Sequence, residues 1–221
     1  MSRGRVKQVF ELPVRPDMAH ERGWRERGFA RVAGVDEAGR GPLAGPVHVA
    51  AVVLPEGFEH GVLHDSKQLS EAARERIFEE LTGCAEVSWS LVVVEVPELD
   101  RINVLQAARA GMRRAVLALQ PAPEVVLVDG LEVPDFPFPQ EALVKGDARS
   151  LSIAAASVIA KVSRDRYMRE VAKEFPQYGF EQHKGYGTAA HLAALQKHGP
   201  CIHHRVSFSP VAQLTFSFDA A

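Results

Sequence analysis

The chain has 221 residues, 46% hydrophobic and 24% charged, with a net charge of −2. That composition excludes wholesale disorder and a uniformly basic nucleic-acid coat, and it suits one domain with an appendage. No apolar run reaches the roughly 18 residues of a membrane helix, and the first residues, MSRGRVKQVFELPVRPD, lack the apolar stretch of an export signal.

In chain order, residues 18–28 read as a short polar helix or turn, and 31–36 (RVAGVD) as a short strand ending in the loop Glu37-Ala-Gly-Arg-Gly-Pro42. An apolar strand follows at 46–54, stopped by Pro55 and Gly57. Ser70 is placed to cap a helix over 71–83, with acids at Glu71 and Glu75 in its first turns. Another strand is expected at 86–96. Ile102, Leu105, Ala108, Met112 and Val116 then share one face of a helix over 98–119, which Pro121 terminates. VVLVD (125–129) is a buried-type strand, and ALVKGD (142–147) a short one. A long helix spans 150–175, its first turns built from small residues. A loop at 177–187 leads to a last helix at 188–198. The pattern predicts an α/β fold, a mixed sheet flanked by helices with a helical C-terminal extension.

Two cysteines, Cys84 and Cys201, lie far apart outside any CxxC pair, which argues against a disulfide framework or structural zinc and for a reducing cytoplasm. His198, His203 and His204 have a zinc-like spacing, but only Cys201 accompanies them. Charge is unevenly spread. Residues 145–205 carry ten Lys and Arg against five Asp and Glu, while the rest carries sixteen against twenty-three. A basic C-terminal third can hold a polyanion while the acidic part binds metal, and the asymmetry can equally reflect helix surface composition alone.

Four acids sit at the ends of expected elements, where core packing does not account for them: Asp36, Glu37, Asp129 and Asp147. Carboxylates at the ends of paired strands converge, and acids held together need a cation; an all-oxygen set suits Mg²⁺ or Mn²⁺. Asp147 could equally serve as a helix N-terminal acid and Asp129 as a turn residue. Asp36 and Glu37 are adjacent, so in a regular strand they face opposite ways; a strand break at Ala38-Gly39 is expected to let both serve one site. The spacing from Gly34 to Gly41 imitates a phosphate-binding P-loop, but Arg40 and Gly41 replace its Lys and hydroxyl residue, and two acids occupy the cradle.

The segment AGVDEAGRGPLAGPV (33–47) resembles the signature of ribonuclease HII. DSKQLS (65–70), VLVDG (126–130), KGDARSLSIAAASVIAKVSRD (145–165), YGFEQHKGYGT (178–188) and HHRVSF (203–208) continue the match in the family's order, over about four fifths of the chain. The resemblance implies an RNase H-like fold with a mixed five-stranded sheet. It implies hydrolysis on the 5′ side of a ribonucleotide in an RNA/DNA hybrid or ribonucleotide-containing DNA duplex, leaving 3′-hydroxyl and 5′-phosphate ends, in the removal of RNA primers and misincorporated ribonucleotides. Asp36, Glu37, Asp129 and Asp147 would be the catalytic, metal-binding acids. Gly39, Arg40 and Gly41 would contact the 2′-hydroxyl and a neighbouring phosphate, and Tyr186 would stack on the adjoining deoxyribose. Ser66, Lys67 and Lys184 would be phosphate contacts.

Elementary chemistry agrees with that assignment. Two divalent cations roughly 4 Å apart activate water and stabilise the leaving oxygen, and a 2′-hydroxyl is read by groups that both donate and accept hydrogen bonds. A pure nucleic-acid binder would not set acids beside a phosphate-facing loop. A phosphatase of another type would lack GRG, DSK and GYGT together. Asp165 is expected to form a structural salt bridge beside Arg164 and Arg166.

The domains expected are a lead-in (1–30), too short for the extra domain of ribonuclease HIII, a catalytic domain (31–174), a substrate-contact portion (175–209) and a tail (210–221), in a monomer. In the tail, Gln213, Leu214, Phe216 and Phe218 resemble the peptide by which partners dock on the bacterial sliding clamp, with Phe216 where leucine is usual. A flexible terminus offering aromatic anchors is one reading of it; a terminal strand or an apolar tail packed on its own domain is the other.

Overall fold

The computed structural model describes residues 15–63 and 69–218, the last four as backbone only. Helix α1 (Ala19–Arg25) precedes strands β1 (Val32–Ala38) and β2 (Val47–Val53), helix α2 (Glu71–Gly83) and strand β3 (Ser88–Val94). Helices α3 (Val96–Ile102) and α4 (Val104–Ala118) lead to strands β4 (Val125–Asp129) and β5 (Gln140–Leu143). The long helix α5 (Leu151–Glu174) and the short helices α6 (Phe180–His183), α7 (Ala189–His198) and α8 (Ser209–Phe218) complete the chain.

The sheet order is β3-β2-β1-β4-β5. β1 is antiparallel to β2, and β2 to β3, whereas β1, β4 and β5 run parallel. Helices cover both faces, which is why β2 and β4 read as continuous apolar runs instead of alternating ones. On one face Ile77 and Leu81 of α2 meet Val158 and Ile159 of α5. On the other, Leu99, Met112 and Val116 of α3 and α4 pack on Val49 and Val126. α5 lies directly on β1. A Cβ at Gly34 would fall 2.2 Å from the Ser152 carbonyl carbon, so only glycine permits the approach. The small residues at the start of α5 serve the same contact.

The cap expected at Ser70 forms, and Ser150 caps α5 in the same way. Ser70 Oγ accepts from Ala73 N (3.2 Å), and Ser150 Oγ from Ile153 N (3.2 Å). Buried Glu21 of α1 accepts from Ser150 Oγ (2.6 Å) and Ser152 N (3.0 Å), tying α1 to the start of α5.

Three elements differ from expectation, one being the loop expected at 177–187, which holds α6. The helix over 98–119 is two helices, broken at Asn103 (φ 64°), whose Oδ1 accepts from Leu105 N and Gln106 N at 3.0 and 3.1 Å. The break leaves Leu105 exposed, so the regular spacing there overstated the buried face. The strand expected at 142–147 lies at 140–143, followed by a 3-10 turn at Gly146–Ala148. Of the readings of the tail, packing on its own domain is the one seen, as a helix and not a strand: α8 continues to Phe218, Val211 is buried, and Leu214 packs beside Leu43 and Leu195.

Candidate active site

The parallel ladder between β1 and β4 ends at Val35 and Val128. Just past its last rung come Asp36 and Glu37 on one strand and Asp129 on the other. The strand break expected at Ala38-Gly39 comes later than both acids, because pairing with β2 carries β1 through Ala38. Asp36 and Glu37 therefore do face opposite ways. Both still reach one cleft because β4 stops at Asp129 and leaves that side of β1 uncovered. The cleft, about 650 Å³, is lined by both acids, Asp129, Arg40, Lys161 and Tyr186. Glu37 also borders a smaller depression of about 170 Å³ beside Leu105 and Met112 on the α4 side. Another cleft, about 590 Å³, lies near Arg22, Arg25 and Arg31 and includes none of the four acids.

Asp147 arrives from the neighbouring 3-10 turn and is buried. Gly146 N donates to Asp129 Oδ1 (2.7 Å), locking that turn to the end of β4. Burial pushes the Asp36 carboxyl well above its usual range, and the charges of Asp129, Glu37 and Asp147 push it further; a hydrogen bond from Glu37 N (2.6 Å) works the other way. The four acids predicted from sequence thus share one electrostatic site. Among the described residues, no three His, Cys, Asp or Glu side chains already stand in a metal-holding arrangement. The donor chemistry nevertheless fits a hard divalent cation, since it is all carboxylate oxygen and its members repel one another.

The GRG loop borders the acids. Arg40 Nη1 donates to Glu37 Oε1 (3.0 Å) while the side chain stays half exposed. Gly39 has φ 104°, and a Cβ there would fall 2.2 Å from Arg164 Nε. Two fully buried arginines hold this loop from behind. Arg205 donates to the carbonyls of Gly39 (2.5 Å), Arg40 (3.0 Å) and Gly45 (2.9 Å). Arg164 donates to Ala44 (3.0 Å), Pro46 (3.1 Å) and Lys184 (3.0 Å). Burial next to Arg164 lowers the Arg205 pKa to about 9, which still leaves it charged at neutral pH.

Tyr186 is half exposed over Gly41, where an added Cβ would lie 3.6 Å from its Cε1. Lys184 turns its Nζ back to the Glu181 carbonyl. Ser66 and Lys67 lie outside the described residues. Asp165 does form a salt bridge, but with Lys161 (2.7 Å) one helical turn earlier rather than with the arginines beside it. Sequence reasoning missed Lys161 as a cleft residue and both buried arginines as supports. The available signal was the helical spacing of Ser157, Lys161 and Arg164, which puts them on one face of α5.

A family profile described as Ribonuclease HII matches residues 33–211. Ribonuclease HII of Chlamydia trachomatis serovar A is 52% identical over 188 residues, covering 85% of this chain and 86% of that one. Among solved structures, ribonuclease H2 from Pyrococcus horikoshii OT3 superposes with a TM-score of 0.72 at 25% identity, covering 86% of this chain and all of that one. The ribonuclease HII of a complex with PCNA from Archaeoglobus fulgidus gives 0.68 at 25% identity, over 80% of this chain and 95% of that one. With this sheet order, its acids beyond the β1–β4 ladder and these matches, the chain belongs to the ribonuclease HII family, metal-dependent endonucleases of the ribonuclease H type.

Proposed function

We propose that this enzyme hydrolyses the phosphodiester on the 5′ side of a ribonucleotide, in RNA/DNA hybrids and in DNA duplexes with embedded ribonucleotides, to remove primers and misincorporated ribonucleotides. A water oxygen bonds to phosphorus as the bond to the 3′-oxygen breaks, leaving a 3′-hydroxyl and a 5′-phosphate. The observation that carries this reading is geometric: just past the last rung of the β1–β4 ladder, Asp36, Glu37 and Asp129 line one cleft together with the GRG loop and Tyr186. Asp36, Glu37, Asp129 and Asp147 would hold two divalent cations, Mg²⁺ or Mn²⁺. When bound, such ions neutralise charge on the attacking and leaving oxygens. Backbone groups of Gly39, Arg40 and Gly41 meet the 2′-hydroxyl, the Arg40 side chain meets a phosphate, and the Tyr186 ring packs on the neighbouring deoxyribose, which lacks that hydroxyl. Ser66, Lys67 and Lys184 are the further phosphate contacts in this reading.

Cleavage of a DNA duplex carrying one ribonucleotide, with Mg²⁺, Mn²⁺ or EDTA, tests it, with Asp129→Asn beside the unsubstituted enzyme. Metal-dependent incision 5′ to the ribonucleotide, lost in Asp129→Asn, is expected. Binding without incision under every metal would refute it.

We further propose that the enzyme works as a cytoplasmic monomer and docks on a sliding clamp through Gln213, Leu214, Phe216 and Phe218. The PCNA complex of the Archaeoglobus relative supports docking. Leu214 packs partly on its own domain, so docking would draw the end of α8 away. Deleting 213–218 should abolish clamp binding and leave cleavage of naked duplex intact. Unchanged clamp binding after the deletion would refute it.

A further inference from the structure

The turn that carries Tyr186 is joined to the C-terminal histidines by a hydrogen-bonded chain whose two ends dictate where its protons lie. At one end, Cys201 N lies 2.9 Å from His204 Nδ1. A backbone N–H only donates, so Nδ1 accepts, and the neutral ring carries its proton on Nε2. That nitrogen lies 3.0 Å from His191 Nε2, which must then accept. The proton of His191 is left on Nδ1, 2.9 Å from the Tyr186 carbonyl oxygen. Every atom has one role and both rings are neutral; the network assigns the tautomers.

An extra proton breaks the chain wherever it goes. On His204 Nδ1 it would oppose the Cys201 N–H, and on His191 Nε2 it would oppose the His204 N–H. The titratable groups facing the pair come from each element around it. His183 of α6 stacks on His191 with ring centroids 4.5 Å apart. Tyr178 lies 4.8 Å from His204, and His198 of α7 packs on Tyr178. Cys201 Sγ is 3.2 Å from His204 Nδ1, and His203 is its chain neighbour. Besides burial, His183 lowers the proton affinity of both rings and His203 that of His204. His183 also braces the same turn: its Nδ1 accepts from Gly185 N (3.2 Å) while its Nε2 donates to the Tyr178 carbonyl (2.8 Å).

We propose that His191 and His204 are positioning residues, a neutral two-imidazole relay that pins the Tyr186 carbonyl and so aims the exposed Tyr186 ring over Gly41 at the substrate sugar. This rests on the reading of Tyr186 as a substrate contact. The ring is half exposed, so its aim depends on its backbone more than on packing around the ring.

The test compares His191→Leu, His191→Asn and Tyr186→Ala in the full chain, on duplex DNA with one ribonucleotide and on a uniform RNA/DNA hybrid. An asparagine amide can occupy the place of Nδ1 and still donate to the Tyr186 carbonyl. His191→Leu should lower kcat/KM on the embedded ribonucleotide about five- to tenfold through KM, the effect of one lost hydrogen bond, and lower it less on the hybrid. His191→Asn should recover most of the loss, and His191→Leu should add nothing to Tyr186→Ala. An unimpaired His191→Leu beside an impaired Tyr186→Ala would overturn the relay. An unimpaired Tyr186→Ala would instead overturn the reading of Tyr186, and the relay's role with it. Nitrogen NMR of the unsubstituted protein at neutral pH needs no variant to fold. It should find the protons on His204 Nε2 and His191 Nδ1; reversed tautomers or a charged ring would also overturn the proposal.

Discussion

Acid should weaken this fold through its buried histidines well before its carboxylates titrate in the unfolded chain. His48 on β2 is buried, with Nδ1 3.0 Å from Ser163 Oγ and the Tyr167 ring 5.6 Å away. Burial, helped by the charge of Arg164, lowers its pKa to about 3. His204 is lowered to about 4, by burial first and then by the histidines around it. Both folded values lie below the unfolded value of about 6.5. Above that value both states are neutral and nothing is at stake. Below it the unfolded chain takes up protons that the fold refuses, so stability falls as pH falls toward 4. At pH 5.5 each histidine has cost about 1.4 kcal/mol, and together they amount to roughly 6–11 °C of melting temperature for a chain of this size. Asp36 works in the opposite direction, because its raised pKa lets the fold take up a proton first. The His48 contribution is therefore isolated by comparison. Urea unfolding at pH 7.5, 6.5 and 5.5 is measured for the unsubstituted protein and for His48→Gln. Between the outer two, His48→Gln should lose about 1.3 kcal/mol less. Parallel losses would show that His48 titrates normally in the fold and would refute the reasoning.

Three further outcomes are expected. Asp36→Asn should raise the metal-free melting temperature at neutral pH by a few degrees, since removing a repelled, buried carboxylate is worth about 1 kcal/mol. It should also abolish cleavage and the stabilisation by Mg²⁺; a lower melting temperature would mean the acids do not strain the fold. Arg205→Met strands the carbonyls of Gly39, Arg40 and Gly45, so it should cost about 3 kcal/mol in urea unfolding and lower cleavage, with Arg205→Lys recovering only part; near-normal stability and activity would sink this role. Asn103→Ala loses the cap of α4 and keeps the positive φ, at a cost of about 1–3 kcal/mol in urea unfolding, whereas Asn103→Gly should be close to neutral; equal losses in the two would refute the strain at that position.

Much of this protein is written in local pattern. Apolar runs bounded by Gly and Pro place β1, β2 and β4, and Ser70 and Ser150 mark where α2 and α5 begin, because strands and caps depend on neighbours a few residues away. Asp36, Glu37 and Asp129 stand out for the same reason, standing where an apolar run ends, whereas Asp147 is marked only by its place between a short strand and a helix start. Tertiary structure decided what they do together. Asp36 and Glu37 face opposite ways on an unbroken strand, and they meet at one cleft because β4, about ninety residues further on, stops short beside them. Arg205 reaches carbonyls 160 to 166 positions earlier, and Arg164 reaches one 120 earlier, so no window of sequence contains both partners. The break at Asn103 and the packing of Leu214 likewise depend on the surface each helix meets. Residue chemistry and short-range periodicity are properties of the chain itself, whereas burial and mutual repulsion exist only between segments that the fold brings together.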